Sequence, residues 1–457
     1  MGGLIAGCGR GRSARPGRRL WQDTNGESKV INSMCLRLPV IILGGILSIC
    51  GVASIPEAVA DETAKSADGK VVDSFRQWLT AAEDLDPKTL PEAIGKAPLT
   101  RTEAEAASKA IWEAHVKRVR EEREEEAKSG VLTLDGKRMP FTYKNFGESP
   151  KGARSLWISM HGGGGTAPAV NDRQWENQKK LYTLKDGIYL VPRAPTDTWD
   201  LWHQGHIDGM FARLIEDMII VEGVDPNRVY VMGYSAGGDG VYQLAPRLAD
   251  RLAAAAMMAG HPNETQPQGL RNLPFALLMG GNDKAYNRNG IAREWADRLA
   301  KLRDADAGGY THFVKIFEGK GHWMGGEDKM ALPWMAAFRR NMFPDKVVWR
   351  QDDVTHERFY WLGMDKAKAA AGQELVVARR GQDFVVQKAD NIDEFRLVLD
   401  DRLVDLDEPI RVTKDGRTLF EGRVGRTLES IVESFAERPE PEFAGTARIR
   451  VVIAAPK

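Results

Sequence analysis

The sequence predicts an α/β fold: a mostly parallel sheet flanked by helices, followed by a β-rich, sandwich-like region. Three observations predict it. Short apolar runs at residues 155–160, 187–192, 228–232, 275–279 and 312–317 read as buried strands, most of them ending in glycine-rich loops. One such loop, Gly233-Tyr234-Ser235-Ala236-Gly237, lies between a strand and a segment able to open a helix at 238–244. Past Phe343-Pro344 the texture changes to many short strand patterns at close spacing.

Residues 1–60 read as a leader. Arg37 precedes an apolar run at 38–54, and Ala58-Val59-Ala60 before Asp61 is an A-x-A cleavage pattern, so a secretory signal peptide cut between Ala60 and Asp61 is expected, with export to the periplasm or the extracellular space. An uncleaved leader would instead be a membrane anchor. Ile49 is too bulky for a lipoprotein signal at Cys50. Arg10, Arg12, Arg15, Arg18 and Arg19 make the leader unusually long and basic, and Met34 is an alternative translation start. The three cysteines, Cys8, Cys35 and Cys50, all fall in this leader, so the mature chain takes no support from disulfides.

Residues 61–129 are expected to be a helical extension. Ala104, Ala107, Ile111 and Ala114 recur at helical spacing, and the stripe stops at Arg118. The catalytic domain is expected at 130–344, opening with a hairpin at 131–143 around the Asp135-Gly136 turn, a first edge for the sheet. The β-rich accessory domain, 345–457, carries a second hairpin signal at Asp415-Gly416, and its Tyr360 and Trp361 are expected in a core. Lys+Arg and Asp+Glu both number 64, so charge gives no case for nucleic acid or an anionic surface. Substrate capture then depends on pocket shape.

The chemistry lies in four loops. In a Gly-x-Ser-x-Gly turn the serine backbone is strained and its neighbours two residues away must be small; here both are Gly. Upstream, the strand at 155–160 runs into His161-Gly162-Gly163-Gly164-Gly165, whose N–H groups can turn toward a carbonyl oxygen. Gly163 or Gly164, together with the N–H of Ala236, is the expected oxyanion hole. Downstream, Asp283 follows Gly280-Gly281 and His322 follows Gly319-Lys320-Gly321, each just past a strand end. Ser235 would attack, His322 would take and return its proton, and Asp283 would hold the imidazole tautomer. Asp239, Asp304 and Asp306 compete for the acid, and His261, His312 and His356 for the base; His161 reads as an anchor for the glycine loop.

This constellation resembles the α/β-hydrolase superfamily, and most closely secreted esterases of the polyhydroxybutyrate-depolymerase and feruloyl-esterase type. Those pair an H-G-G strand end with G-x-S-A-G-G and a late G-H. The resemblance covers residues 131–343. It departs in one respect: many of those esterases are disulfide-bonded, and this region has no cysteine. The resemblance implies a serine esterase acting on small-molecule or polymeric esters. Trp199 and Trp202, in the loop at 196–206, are expected to wall the substrate pocket, with Tyr234 beside the nucleophile. His203 and His206 have metal-like spacing, but no Cys or further His nearby completes a site, so neither metal nor organic cofactor is expected. A prolyl-oligopeptidase-like peptidase ranks second, because residues 61–131 are too few for a propeller of ~40–50 residues per blade. A non-catalytic binding protein on the same scaffold ranks third.

Overall fold

The computed structural model describes residues 68–82 and 84–453; the leader, Ala60, Asp61, Met34 and the cysteines lie outside them. Among the described residues no helix is long and apolar enough to cross a membrane.

The main sheet has eight strands: β1 (Val131–Leu134), β2 (Lys137–Phe146), β3 (Arg154–Met160), β4 (Gly187–Pro192), β5 (Val224–Tyr234), β6 (Ala254–Met258), β7 (Phe275–Gly280) and β8 (His312–Phe317). Their spatial order is β1-β2-β4-β3-β5-β6-β7-β8. The hairpin β1–β2 is antiparallel and edges the sheet, with Asp135 and Gly136 at φ 50° and 73°, the left-handed pair that a tight two-residue turn requires. From β4 to β8 every pairing is parallel. The chain leaves β3 toward β4 on one side, and leaves β5 toward β6 on the other. The crevice between the C-terminal ends of β3 and β5 is therefore the topological switch point, where an open α/β sheet gathers its ligands.

β6 escapes the sequence pattern. Ala254-Ala255-Ala256-Met257-Met258 has no β-branched residue and, in isolation, favours helix. Between β5 and β7 it is wholly buried, under helix α5 (Ala236–Arg247), which packs on both β5 and β6.

The N-terminal region is helical as expected, with α1 (Asp68–Ala81) and α2 (Arg101–Ser129). A Thr100/Glu103 capping box starts α2 and a left-handed Gly130 ends it. The buried stripe differs from the one expected. After Ile111 it passes through His115 and Val119 rather than Ala114 and Arg118, and Arg118 reaches aside to the Ala82 carbonyl. The Glu/Arg run at the end of α2 leaves Arg120, Glu121, Glu122, Glu124 and Glu125 exposed and turns two residues inward. Arg123 pairs with Glu216 and Glu126 takes both arms of Arg213, each partner lying on α4 (His206–Glu222).

The C-terminal region forms two further sheets and one unanticipated helix. The five-stranded sheet is antiparallel except where Asp383–Asp390 pairs with Ile410–Lys414 in parallel. The four-stranded sheet is antiparallel throughout. Helix α7 (Leu428–Glu437) packs Leu428, Ile431, Val432 and Phe435 against the apolar faces of α1 and α2. Tyr360 and Trp361 are buried, as expected. The main hydrophobic cluster is continuous from β3 and β5 into both C-terminal sheets, so no solvent layer separates them.

Candidate active site

Ser235 stands immediately past β5 with φ 59° and ψ −123°, a strained conformation for a residue with a Cβ. The glycines around it are sterically required. A Cβ on Gly233 would lie 2.1 Å from the Gly237 carbonyl oxygen, and one on Gly237 would lie 2.1 Å from that of Met160. The turn is pinned by Ser235 N–H donating to Met258 O at 2.9 Å across to β6. Helix α5 begins at Ala236, so its free N-terminal N–H groups and the positive end of its dipole lie at the serine.

Two loops bring the partners. Past β7, Gly280 and Gly281 let the acid loop lie against the histidine loop: a Cβ on Gly280 would sit 2.0 Å from the Gly321 oxygen. Gly281 N–H and Asn282 N–H donate to Phe317 O and Lys320 O at 2.9 and 2.8 Å, tying the two loops together. Asp283 is buried; its Oδ2 is 2.6 Å from His322 Nδ1. His322 Nε2 is 2.9 Å from Ser235 Oγ. With a proton on Nδ1 directed at the carboxylate, Nε2 is free to accept from the hydroxyl. Ser235, His322 and Asp283 thus form one continuous relay.

The rivals are engaged elsewhere. Asp239 accepts the His261 N–H at 2.5 Å, and burial pushes its carboxyl up to about 6. Asp306 clasps Arg271 through both oxygens, His356 meets Asp208, His312 meets the Tyr310 carbonyl, and Asp304 is exposed on the helix Arg288–Ala305.

The glycine loop leaves β3 with Gly163, Gly164 and Gly165 at φ 108°, 83° and 57°. A Cβ on Gly162 would come 3.1 Å from that of Ser235, so this loop abuts the nucleophile. Gly164 N–H already donates to Asn171 Oδ1 at 2.9 Å. Asn171, buried on the helix Pro168–Leu181, in turn donates to Asp197 at 2.8 Å and so joins the glycine loop to the loop after β4. Sequence reasoning missed Asn171, because an amide in a polar helix carries no mark of its partner. His161 is the anchor expected of it. Its Nδ1 meets Gly162 O at 2.6 Å, its Nε2 accepts from Ala194 N at 3.1 Å, and burial pulls it down to about 4, fixing a neutral ring.

Trp202 contradicts its expected place. It is fully buried, and its Nε1–H donates to His161 O at 2.9 Å, so it braces the glycine loop from within and cannot wall a pocket. Tyr234 likewise points inward: its hydroxyl donates to His322 O at 2.6 Å and accepts from Met324 N–H at 3.0 Å, clamping the histidine loop from both sides. Trp199, by contrast, is 65% exposed and lies against Gly164 and Gly165. Two further exposed rings, Tyr286 and Trp323, stand on the acid and histidine loops, within three residues of the chemistry. That proximity was the signal available for them.

No family model matches the chain. It is 28% identical over 158 residues to the bifunctional acetylxylan esterase/xylanase XynS20E of Neocallimastix patriciarum, covering 33% of this chain and 23% of that one. It is 29% identical over 161 residues to NocK of Nocardia uniformis subsp. tsuyamanensis, also named as an esterase, covering 33% and 46%. The matched segment thus spans less than half of either relative. Among solved structures, a thermostable esterase aligns over 46% of this chain and 62% of its own at 17% identity and a TM-score of 0.35. The chain is similar to esterases. Its mostly parallel sheet is flanked by helices and joined by further sheets in the C-terminal part.

Proposed function

We propose that this protein is an exported serine hydrolase that cleaves carboxylic esters through an acyl-enzyme. The Asp283–His322–Ser235 relay at the switch point carries the reading. In the first half-reaction Ser235 Oγ attacks the ester carbonyl while His322 Nε2 takes its proton. Asp283 stabilises the imidazolium. The developing oxyanion is met by N–H groups of Ala236 and Gly163; Gly164 is set aside because its N–H is already given to Asn171. His322 then protonates the departing alcohol, leaving the acyl group on Ser235. Water, deprotonated by the same imidazole, releases the acid.

Trp199 supplies an exposed wall beside the glycine loop and Trp323 another on the histidine loop, and the ester is a small molecule or polymer-borne. The helices at 61–129 and the sheets at 345–457 serve as buttresses around this catalytic region. The leader is cleaved between Ala60 and Asp61 on export.

A fluorophosphonate probe tests the proposal: the wild type labels and Ser235→Ala does not. Equal labelling of both would end it. A series of p-nitrophenyl esters set against aminoacyl nitroanilides then tests the class. Hydrolysis of the esters is expected, and cleavage of the anilides alone would make the protein a peptidase.

A further inference from the structure

At the end of the sheet away from Ser235, four guanidinium groups gather around the turn before β6: Arg251, Arg340, Arg358 and Arg438. Two buried carboxylates answer them. Glu440 is held by both arms of Arg340 at 2.9 and 3.0 Å, and Asp250 pairs with Arg438. Arg358 is covered by the ring of Phe443 at 4.5 Å and donates to Ser434 at 2.7 Å. Arg251 is the remainder. Among the described residues its guanidinium has no hydrogen-bond or ion-pair partner, and Asp250 and Glu440 act on it only at a distance. Arginine does not shed its proton, so this charge persists. Burial, with Arg438 as the next cause, weakens its hold on that proton, down to about 10. By surface area Arg251 is only partly buried and keeps some accessible surface where it lines a cavity, and a half-buried cation without a partner favours an anion beside it.

Arg251 opens onto a cavity of about 330 Å³ between α2, α4 and the segment after α7. That is the lower end of the ~300–1,000 Å³ range of small-molecule sites. Trp112, Leu134, Ile215, Ile219, Pro226 and Pro439 supply apolar wall. The charged lining is Arg123, Arg213, Arg251 and Arg340 against Glu216, Glu437 and Glu440, one positive charge in excess. Arg123 is taken by Glu216 and Arg213 by Glu126. Glu437 is taken by Arg396 and Arg448.

We propose that this cavity is a binding site for a small organic monocarboxylate, its carboxylate on Arg251 and its hydrocarbon against Trp112 and Ile219. The charge balance decides the class. With the lining carboxylates each paired to an arginine, Arg251 is left as a single unpaired cation, which neutralises a monoanion but leaves a phosphate dianion with a net charge. Such a ligand bridges the N-terminal helices, the main sheet and the C-terminal segment, and so stabilises the whole chain.

Thermal unfolding of the leader-free protein with hexanoate, and separately with inorganic phosphate, tests this. A saturable rise of roughly 3 °C is expected with hexanoate at a hundredfold excess over Kd, and none with phosphate. Arg251→Met should unfold no lower than the wild type, since it removes an unpaired charge, and should lose the hexanoate response. Ile219→Trp, which keeps Arg251 and fills the cavity, should lose it too. No saturable rise in the wild type, a rise that survives in Arg251→Met, or an equal response to phosphate would each overturn the assignment.

Discussion

The two ends of the parallel strands solve opposite problems. At the C-terminal end, polar side chains are held in strained or crowded backbone: Ser235 at positive φ, the Gly280–Gly321 approach, and three successive glycines in left-handed conformation. Strain is tolerated there because each group has a partner that fixes it, and His322 stays open to solvent. At the N-terminal end the charges are extreme, although there too one residue, Tyr360, sits at a positive φ of 53°. Buried arginines and acids fasten the C-terminal sheets to the turn before β6 through Arg438–Asp250, Arg340–Glu440 and the donation of Tyr360 N–H to Asp250. One end is built to present reactive groups, the other to hold regions of the chain together. Substitutions at the first should therefore cost turnover, and at the second stability.

The largest separation comes from the acid. Asp283→Asn keeps the shape of the site but favours the wrong imidazole tautomer, and kcat is expected to fall by about 10⁴ with the unfolding midpoint little changed. Steady-state kinetics on a p-nitrophenyl ester, beside thermal unfolding, measures both. At the other end the pattern inverts. Asp250→Asn leaves Arg438 buried without its counter-charge, and a loss of about 3–5 kcal/mol is expected by urea unfolding, with turnover per folded molecule retained.

Asp239 lies between these extremes, in the first turn of the helix that follows Ser235. Burial raises its folded pKa to about 6. Because that exceeds the unfolded value of ~3.9, the folded state holds the extra proton in between, and stability falls as pH rises from about 4 to 6. Asp239→Asn should match the wild type near pH 4 and exceed it by about 2–3 kcal/mol at pH 8. Equal stability of the two at both pH values would show that Asp239 carries no such burden.

The catalytic end was far more legible in sequence than the structural one. Ser235, Asp283 and His322 each follow an apolar run that ends in glycine, and that local grammar survives folding because the glycines are required sterically. The tertiary partners left no local trace. Nothing in Asn171 announces that it takes the Gly164 N–H, and a tryptophan in a loop does not tell whether it faces out, as Trp199 does, or in, as Trp202 does. β6 was hidden by alanine, whose helix propensity is overridden here by pairing and burial between β5 and β7. Helix α7 was legible but passed over: Leu428, Ile431, Val432 and Phe435 follow Thr427 at helical spacing, and Thr427 caps Ser430 N–H at 3.1 Å. The buried stripe of α2 took His115 because Glu216 waits opposite at 2.8 Å, information that lies about a hundred residues away.

Tyr234 tests whether the catalytic end depends on positioning as well as on reactive groups. Its hydroxyl touches neither Ser235 Oγ nor the imidazole ring, yet it holds the backbone on both sides of His322, accepting from Met324 N–H and donating to His322 O. Tyr234→Phe leaves the ring packing against Trp323 intact while leaving that N–H and carbonyl without their partner. A looser histidine loop weakens the alignment of Nε2 with the hydroxyl more than it weakens ester binding. A fall in kcat of about tenfold is expected, with KM within twofold of the wild type. A rise in KM at unchanged kcat would instead make Tyr234 a wall of the substrate pocket, and the clamp on the histidine loop would be incidental to catalysis.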